Sequence, residues 1–210
     1  MGANTEDFAE AARCLADTGR LLHARGWVPA TSGNFSLRLA NGDLAITASG
    51  RDKSTLQPTD ILRLDPKGRP RQGGKPSAET GLHLQLYARE PRIGAVLHTH
   101  SLRATLVCGR ARHQLRFSGL ELLKAFEGVH SHEQVLNIPV FDNDQDIAAL
   151  ATRVEERMQQ EGTGQAYLIR GHGLYTWGAH LADCLRQLEA LEYLFEYDLE
   201  SRRLPPDPED

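Results

Sequence analysis

The pattern of apolar and polar positions predicts an α/β chain in which helices are interspersed with strands and hairpins. Apolar residues recur at helical spacing over residues 6 to 25, and Gly26 ends this predicted helix. Residues 35 to 39 alternate between apolar and polar, the dipeptide Asn41-Gly42 favours a tight turn, and residues 44 to 47 return as a second strand. This stretch therefore predicts a β-hairpin.

The rest of the chain continues the alternation and predicts one domain. Further strands are predicted at residues 60–65, 93–98, 137–141, 166–170 and 174–177. Further helices are predicted at residues 79–89, 101–109, 121–126, 145–160 and 179–201. We interpret this order as a single α/β domain over residues 1–204, with a mixed sheet covered by helices. The tail "PPDPED", residues 205–210, has nothing to bury and is predicted to be disordered.

The composition narrows the classes of partner. The 210 residues carry a formal net charge of −4, so no excess of basic residues indicates nucleic acid or an anionic membrane. No apolar run reaches the roughly 18 residues of a membrane span, and the N-terminus lacks the basic and apolar segments of a signal peptide. Cys14, Cys108 and Cys184 are interpreted as reduced thiols. Together these features predict a cytoplasmic protein.

Two histidines stand one residue apart at the end of the apolar stretch "IGAVLHTHS". Because side chains at i and i+2 of a strand point to the same face, His98 and His100 can converge on one point. Imidazole is a preferred zinc ligand, and catalytic zinc sites commonly have three protein ligands and one open position. The pair alone is equally compatible with two polar residues that form local hydrogen bonds at a strand end.

His172 is the best candidate for a third ligand. It lies between two glycines directly after the predicted strand "AYLIR", where backbone and ligand can approach closely. A histidine in a β-turn is the alternative interpretation. The pair His130 and His132 has the same spacing as the first pair, but it lies in a polar loop without a strand to hold it, so exposed histidines are the better interpretation there.

Three short loops have the composition of anion-binding loops. They are "TSGN" (31–34), "ASG" (48–50) and "KPSAE" (75–79), which place small or hydroxyl residues where backbone N–H groups can be exposed. Each loop alone is weak evidence, since such residues also cap helices and form turns. Glu79 and Glu121 are candidate general bases beside a metal, or simply acids at helix starts.

Taken in this order, the motifs resemble the class II aldolase/adducin family over about residues 8 to 203. The resemblance implies a three-layer αβα sandwich with a central mixed, largely antiparallel sheet, and usually a homotetramer with active sites at subunit interfaces. It also implies one Zn²⁺ per subunit on His98, His100 and His172. The phosphate of a sugar-phosphate substrate would lie among Asn34, Ser49, Gly50 and Ser77. Ala78 replaces a serine that aldolases often carry there, which leaves one phosphate contact to the backbone or to Lys53.

Three segments resemble one branch of that family, which dehydrates 5-methylthioribulose 1-phosphate to 5-methylthio-2,3-dioxopentyl 1-phosphate in methionine salvage. They are "GWVPATSGNFS", "SGRDKS" and "WGAHLADCLRQLEALEYLFEYDL". The resemblance implies a zinc-dependent lyase that works through a metal-stabilised enediolate, with Glu121 as the acid/base. Glu79, the base of the aldolases, would lie near the metal as a relay or an alternative base.

Two other functions stay open at this point. The first is a class II sugar-phosphate aldolase or 4-epimerase of the fuculose or ribulose phosphate type, which would use the same metal site. The second is a non-catalytic, adducin-like interaction module, which would not need three histidines and a glutamate together.

Overall fold

The computed structural model describes residues 7–204, in which one eight-stranded sheet forms the middle layer. The strands are β1 (Asn34–Arg38), β2 (Leu44–Thr47), β3 (Ile61–Leu64), β4 (Ala95–Thr99), β5 (Gln114–Phe117), β6 (Leu136–Phe141), β7 (Ala166–Ile169) and β8 (Gly173–Gly178). Their order across the sheet is β3-β2-β1-β4-β8-β7-β6-β5, and β6–β7 is the parallel pair among otherwise antiparallel neighbours. The tail predicted to be disordered lies outside the described residues.

Helices cover both faces of this sheet. They are α1 (Phe8–Ala24), α2 (Thr80–Arg89), α3 (Leu102–Arg110), α4 (Ile147–Glu161) and α5 (Leu181–Ser201). One apolar core joins α1, α3 and α5 to one face, and a second core joins α2 and α4 to the other. The predicted αβα sandwich around a mixed, largely antiparallel sheet is therefore confirmed. Within residues 7–204, no helix combines the length and apolar character that a bilayer span requires.

Two local differences from the predicted elements have simple causes. Strand β5 was not predicted, because only Leu115 and Phe117 of its four residues are buried and two alternations give too short a pattern. The helix predicted over residues 121 to 126 is a 3₁₀ turn, Glu121–Ala125. Short runs of 3₁₀ geometry cannot be distinguished from a helical turn by spacing alone.

The centre of the sheet brings the predicted motifs together. Strand β4, which contains His98 and leads directly into His100, lies between β1 and β8. In the antiparallel register Asn34 faces His98 from one side, and Tyr175 faces His98 from the other. The loop "TSGN" at the start of β1 and the "GHG" segment before β8 therefore both meet the end of β4.

Candidate metal centre and active-site cavity

Three histidines and one glutamate converge at the end of β4. One ligand atom from each of Glu79, His98, His100 and His172 lies within 4.8 Å of the others. The Nε2 atom of His98 is 2.8 Å from that of His100 and 3.2 Å from that of His172. Glu79 completes the group, with Oε1 2.7 Å from His172 Nε2 and Oε2 3.3 Å from His98 Nε2.

The hydrogen bonds of the outer ring nitrogens, Nδ1, determine whether the inner nitrogens, Nε2, present a lone pair to the cluster. His98 Nδ1 lies 3.0 Å from the carbonyl oxygen of Leu174, which can only accept, so Nδ1 carries the proton. His172 Nδ1 likewise faces Asn143 Oδ1 at 3.3 Å. In the neutral rings, the Nε2 atoms of both histidines therefore point lone pairs at each other. Such an arrangement is repulsive unless a cation lies between the rings, and it is how metal-binding histidines are usually held.

The protonation states agree with a cation site. Burial, and then the neighbouring His98 and His172, lowers the pKa of His100 to about 3, so this ring is neutral at pH 7. Burial alone would raise the pKa of Glu79, but His98 and His172, when their rings are protonated, hold it well below its ordinary value. Three imidazole rings and one carboxyl group are a donor set that suits a divalent metal. The cluster therefore has the chemistry to hold a metal ion.

Two glycines allow the surrounding loops to approach β4. A Cβ on Gly173 would lie 2.0 Å from the carbonyl oxygen of Thr99, and a Cβ on Gly33 would lie 2.8 Å from that of His98. Gly33 also has a φ of 75°, a conformation that other residues adopt only with strain. The glycines beside His172 and Asn34 thus set the distance between the motifs.

A cavity of about 380 Å³ opens beside the cluster. Residues from all three loops that the sequence indicated as anion-binding line it. The residues predicted for the site that line it are Asn34, Ser49, Gly50, Ser77, Glu79, His100 and His172. His98 is fully buried behind them. One small cavity therefore joins the metal cluster to hydroxyl groups and glycine backbone.

Lys53 does not line this cavity. Its Nζ donates to the carbonyl oxygens of Thr31 and Arg51, at 3.0 and 2.8 Å. Burial lowers the pKa of its ammonium group to about 8. The structure thus places Lys53 as a link between the segments of Thr31 and Arg51, and the phosphate contact suggested for it stays a prediction.

Glu121 also lies outside the cavity of its own chain. Its side chain is 72% exposed and pairs with Lys124 at 2.7 Å and His132 at 3.7 Å. The bond to Lys124 holds the pKa of Glu121 below its ordinary value. His130 and His132 are exposed as expected. A single chain therefore brings Glu79, but not Glu121, to the metal cluster.

The loop from β6 to α4 forms a wall of the cavity that sequence reasoning did not identify. Asn143, Asp144, Gln145 and Ile147 line it, and Asn143 faces the ring of His172. The parallel pairing of β6 with β7 explains this position, because parallel strands end at the same edge of a sheet. The polar run "DNDQD" directly after a buried strand was the available signal.

Comparisons with known proteins agree with this arrangement. The model of the family described as "Class II Aldolase and Adducin N-terminal domain" matches residues 13–199. A methylthioribulose-1-phosphate dehydratase of Alcanivorax borkumensis is 52% identical over 202 residues, which cover 96% of each chain. A protein of the same name from Pseudomonas paraeruginosa is 53% identical over 201 residues, covering 95% of this chain and 97% of that protein.

A solved structure has the same fold. The crystal structure of L-fuculose-1-phosphate aldolase from Thermus thermophilus is 28% identical, with a TM-score of 0.73, and the match covers 96% of this chain and 98% of that one. The family match and the relatives span nearly the whole sequence, and the resemblance in the order of the motifs is confirmed. The chain belongs to the class II aldolase and adducin N-terminal domain family.

Proposed function

We propose that this protein is a lyase that dehydrates 5-methylthioribulose 1-phosphate to 5-methylthio-2,3-dioxopentyl 1-phosphate in methionine salvage. The observation that carries the proposal is the similarity to two bacterial proteins named for this reaction, which extends over nearly the whole chain with identity at more than half of the aligned positions. The cluster of three histidines and Glu79 beside a cavity with hydroxyl groups supplies the chemistry that such a reaction on a sugar phosphate requires.

The metal would be Zn²⁺, one per subunit, held by His98, His100 and His172. When bound, it acts as a Lewis acid that stabilises the negative charge developing on the substrate as the C3 proton leaves. Zinc fits three neutral imidazoles, although iron, manganese or cobalt could also use them. Glu79, next to the rings, would serve as a relay or as a second base.

The phosphate would be bound at the opposite end of the cavity. Ser77 Oγ accepts from Asn34 Nδ2 at 3.2 Å, which leaves its own hydroxyl proton free to donate. Ser49 and the backbone of Gly50 complete the cradle. The amide of Asn34 is already engaged with Ser77 and Glu79, so it would shape this end of the cavity more than it would bind phosphate directly.

Glu121 would complete the site from a neighbouring subunit of a homotetramer. It would take the C3 proton and help to protonate the C4 hydroxyl as it leaves as water, after which the enol becomes the diketone. Its exposure on a turn of the α1/α3/α5 layer suits this role. Large apolar side chains are also exposed on this layer, as expected of an interface: Leu102, Leu106, Leu122, Tyr193 and Tyr197. The three unpaired cysteines are consistent with a cytoplasmic protein.

The deciding experiment is a product assay on 5-methylthioribulose 1-phosphate, with and without a chelator. We expect a diketone, no carbon–carbon cleavage, and loss of turnover when the metal is removed. Full turnover in a metal-free protein would contradict the metal-dependent reaction. Absence of bound metal and of turnover would instead favour the non-catalytic, adducin-like alternative.

A sugar-phosphate aldolase or 4-epimerase is the second candidate. The observation that favours it is the position of Glu79 at the cluster, combined with the absence of Glu121 from the same chain's cavity. Incubation with a ketose 1-phosphate separates the two lyases. An aldolase would release dihydroxyacetone phosphate and an aldehyde, whereas the proposed enzyme would leave the carbon chain intact.

A further inference from the structure

A series of buried polar side chains runs from Tyr87 on α2 to Glu79 at the metal cluster. Tyr87 Oη is 2.8 Å from Ser36 Oγ, which is 2.7 Å from His83 Nδ1. On the other side of the ring, His83 Nε2 is 2.5 Å from Asn34 Oδ1. Asn34 Nδ2 in turn lies 2.6 Å from Glu79 Oε2. Ser36 and His83 are fully buried, and Asn34 and Tyr87 nearly so.

The placement of the Asn34 amide fixes the direction of the bonds on either side of it. Its nitrogen, Nδ2, faces Glu79 Oε2 and donates to it. The oxygen of that amide then faces His83, so His83 Nε2 must carry a proton. Since burial lowers the pKa of His83 to about 3, the ring is neutral and its Nδ1 has only a lone pair. Ser36 therefore donates to His83 and accepts from Tyr87.

The hydrogen bonds that lead from His83 to Glu79 depend on one N–H group, that of His83 Nε2. The carboxamide of Asn34 can turn by half a rotation about its last side-chain bond, which would exchange its oxygen and nitrogen. With the nitrogen turned away, the amide oxygen would face the oxygen of Glu79, and both atoms are acceptors. Apart from the carboxyl group of Glu79 itself, the hydrogen bond from His83 is the contact that distinguishes the two orientations, because Ser77 Oγ can either donate or accept.

We propose that His83 is a positioning residue, whose Nε2–H holds the Asn34 amide in the orientation that keeps the Glu79 carboxylate at the metal cluster. His83 lies behind Asn34, on the side away from the cavity, and does not line it. The kinetic test of this inference rests on the proposed function, because it measures the proposed reaction. The hydrogen-bond pattern itself does not depend on that function.

A pair of substitutions separates positioning from packing. His83→Gln places an amide N–H near the position of Nε2, whereas His83→Leu fills the space without a donor. We expect His83→Leu to lose about 10- to 100-fold in kcat, the cost typical of removing an outer-shell partner, with KM within about threefold of wild type. His83→Gln should recover most of that loss. Equal impairment of both variants, or full activity of His83→Leu, would overturn the proposal.

The tautomer supplies a readout that needs no substrate. Long-range ¹H–¹⁵N spectra of the metal-free protein, with ¹⁵N-labelled histidine, should show His83 protonated at Nε2 and bare at Nδ1, with the signals assigned by their loss in His83→Gln. A ring protonated at Nδ1 would overturn the proposal even in a fully active enzyme. If the protein shows the expected tautomer but does not turn over 5-methylthioribulose 1-phosphate, the hydrogen-bond assignment is supported and the proposed function is wrong.

Ser36→Ala tests the same series if His83→Leu does not fold. Without the hydroxyl donor, Nδ1 loses its partner, and the alternative tautomer becomes accessible. We expect a mixture of tautomers in the same spectra, together with a lower kcat and little change in KM. A wild-type tautomer with a wild-type kcat would contradict the dependence of Glu79 on this series.

Discussion

At the residue scale, the two ring nitrogens of a histidine in the cluster differ in function: one forms a hydrogen bond that orients the ring, and the other faces the cluster. Where the outer nitrogen donates to a fixed acceptor, as in His98 and His172, the inner one is left with a lone pair aimed at the cluster. The spacing of His98 and His100 was enough to predict that their side chains share a face, because strand geometry alone determines that. The tautomers were not predictable, since the acceptors Leu174 and Asn143 lie far away in sequence.

Removing one of these nitrogens should release the metal. We expect His100→Ala to lose more than the roughly 10- to 100-fold in metal affinity that an outer-shell change costs, because a whole ligand disappears. Metal per chain, measured by mass spectrometry after dialysis against a weak chelator, checks this. His130→Ala is the matched control, since this exposed histidine belongs to the other pair with the same spacing. Equal metal loss in both variants would show that the ion is bound elsewhere.

Glu192 is a buried acid that stands apart from the metal cluster. Glu192 is 2% exposed, and within residues 7–204 neither of its carboxyl oxygens has a hydrogen-bond partner of normal geometry. Burial raises its pKa to about 7, although Ser101 and Arg103 oppose the rise and Glu196 adds to it. The folded protein therefore binds more protons than the unfolded chain between about pH 4.5 and 7.

The stability should consequently fall as the pH rises through that window. The wild-type free energy of unfolding should decrease by up to about 3 kcal/mol between pH 4.5 and 8, since each unit of pKa difference is worth about 1.4 kcal/mol. Glu192→Gln cannot ionise, so its stability should decline less over the same range. Urea unfolding at several pH values measures both slopes, and parallel curves for the two proteins would refute this account of Glu192.

At the element scale, the distance between the end of β4 and the start of β8 is set by the absence of a side chain on Gly173. A Cβ on Gly173 would overlap the carbonyl oxygen of Thr99 and also approach the Cα of His100. Neither atom can move without shifting the strand that carries the histidine pair. Close packing of backbone on backbone thus couples the fold to the geometry of the cluster.

Gly173→Ala should therefore be strongly destabilising. We expect a loss of more than about 3 kcal/mol, in the range of substitutions that force a clash in a core, together with weaker metal binding. Gly109→Ala is the control, because a Cβ there meets nothing within 4 Å and the residue lies in the exposed part of α3. That change should be neutral or stabilise by up to about 1 kcal/mol. Similar stability losses in urea for both variants would contradict the packing argument.

The elements differ in how well local sequence predicts them. Long segments such as α1 and α5 carry several turns of apolar periodicity, so their existence was predictable to within a few residues. Strand β5 was missed because its two alternations are too short a pattern, and the wall formed by Asn143 and Asp144 was missed because its position depends on the pairing of β6 with β7. The sequence pattern records what a segment buries, but it does not record its neighbour in the sheet.

At the scale of the whole molecule, the position of Glu121 could not be inferred from the chain alone. The family resemblance implies that this residue is the acid/base, yet the folded chain leaves it exposed beside Lys124. The two observations are compatible if the site is completed by another copy. The single domain over residues 1–204 and the tetramer both stay predictions, and the second has a direct test.

Mixing two inactive variants tests whether Glu121 acts across a subunit boundary. Glu121→Gln keeps the metal cluster but lacks the acid, and His100→Ala lacks a metal ligand but keeps the acid. In a closed ring of randomly mixed subunits, about a quarter of the sites would combine an intact cluster with an intact Glu121 from the neighbour. Co-expression of the two variants should therefore restore roughly a quarter of the wild-type kcat per site.

The control for this experiment is built from a double variant. Chains that carry Glu121→Gln and His100→Ala together, co-expressed with wild type, keep intact sites only where two wild-type subunits adjoin. If Glu121 acted within its own chain, co-expression of the single variants would restore nothing, whereas the wild type mixed with the double variant would keep about half of its activity. An inter-subunit site reduces that figure to about a quarter, so the two mixtures should give equal activity only if the acid and the metal belong to different chains.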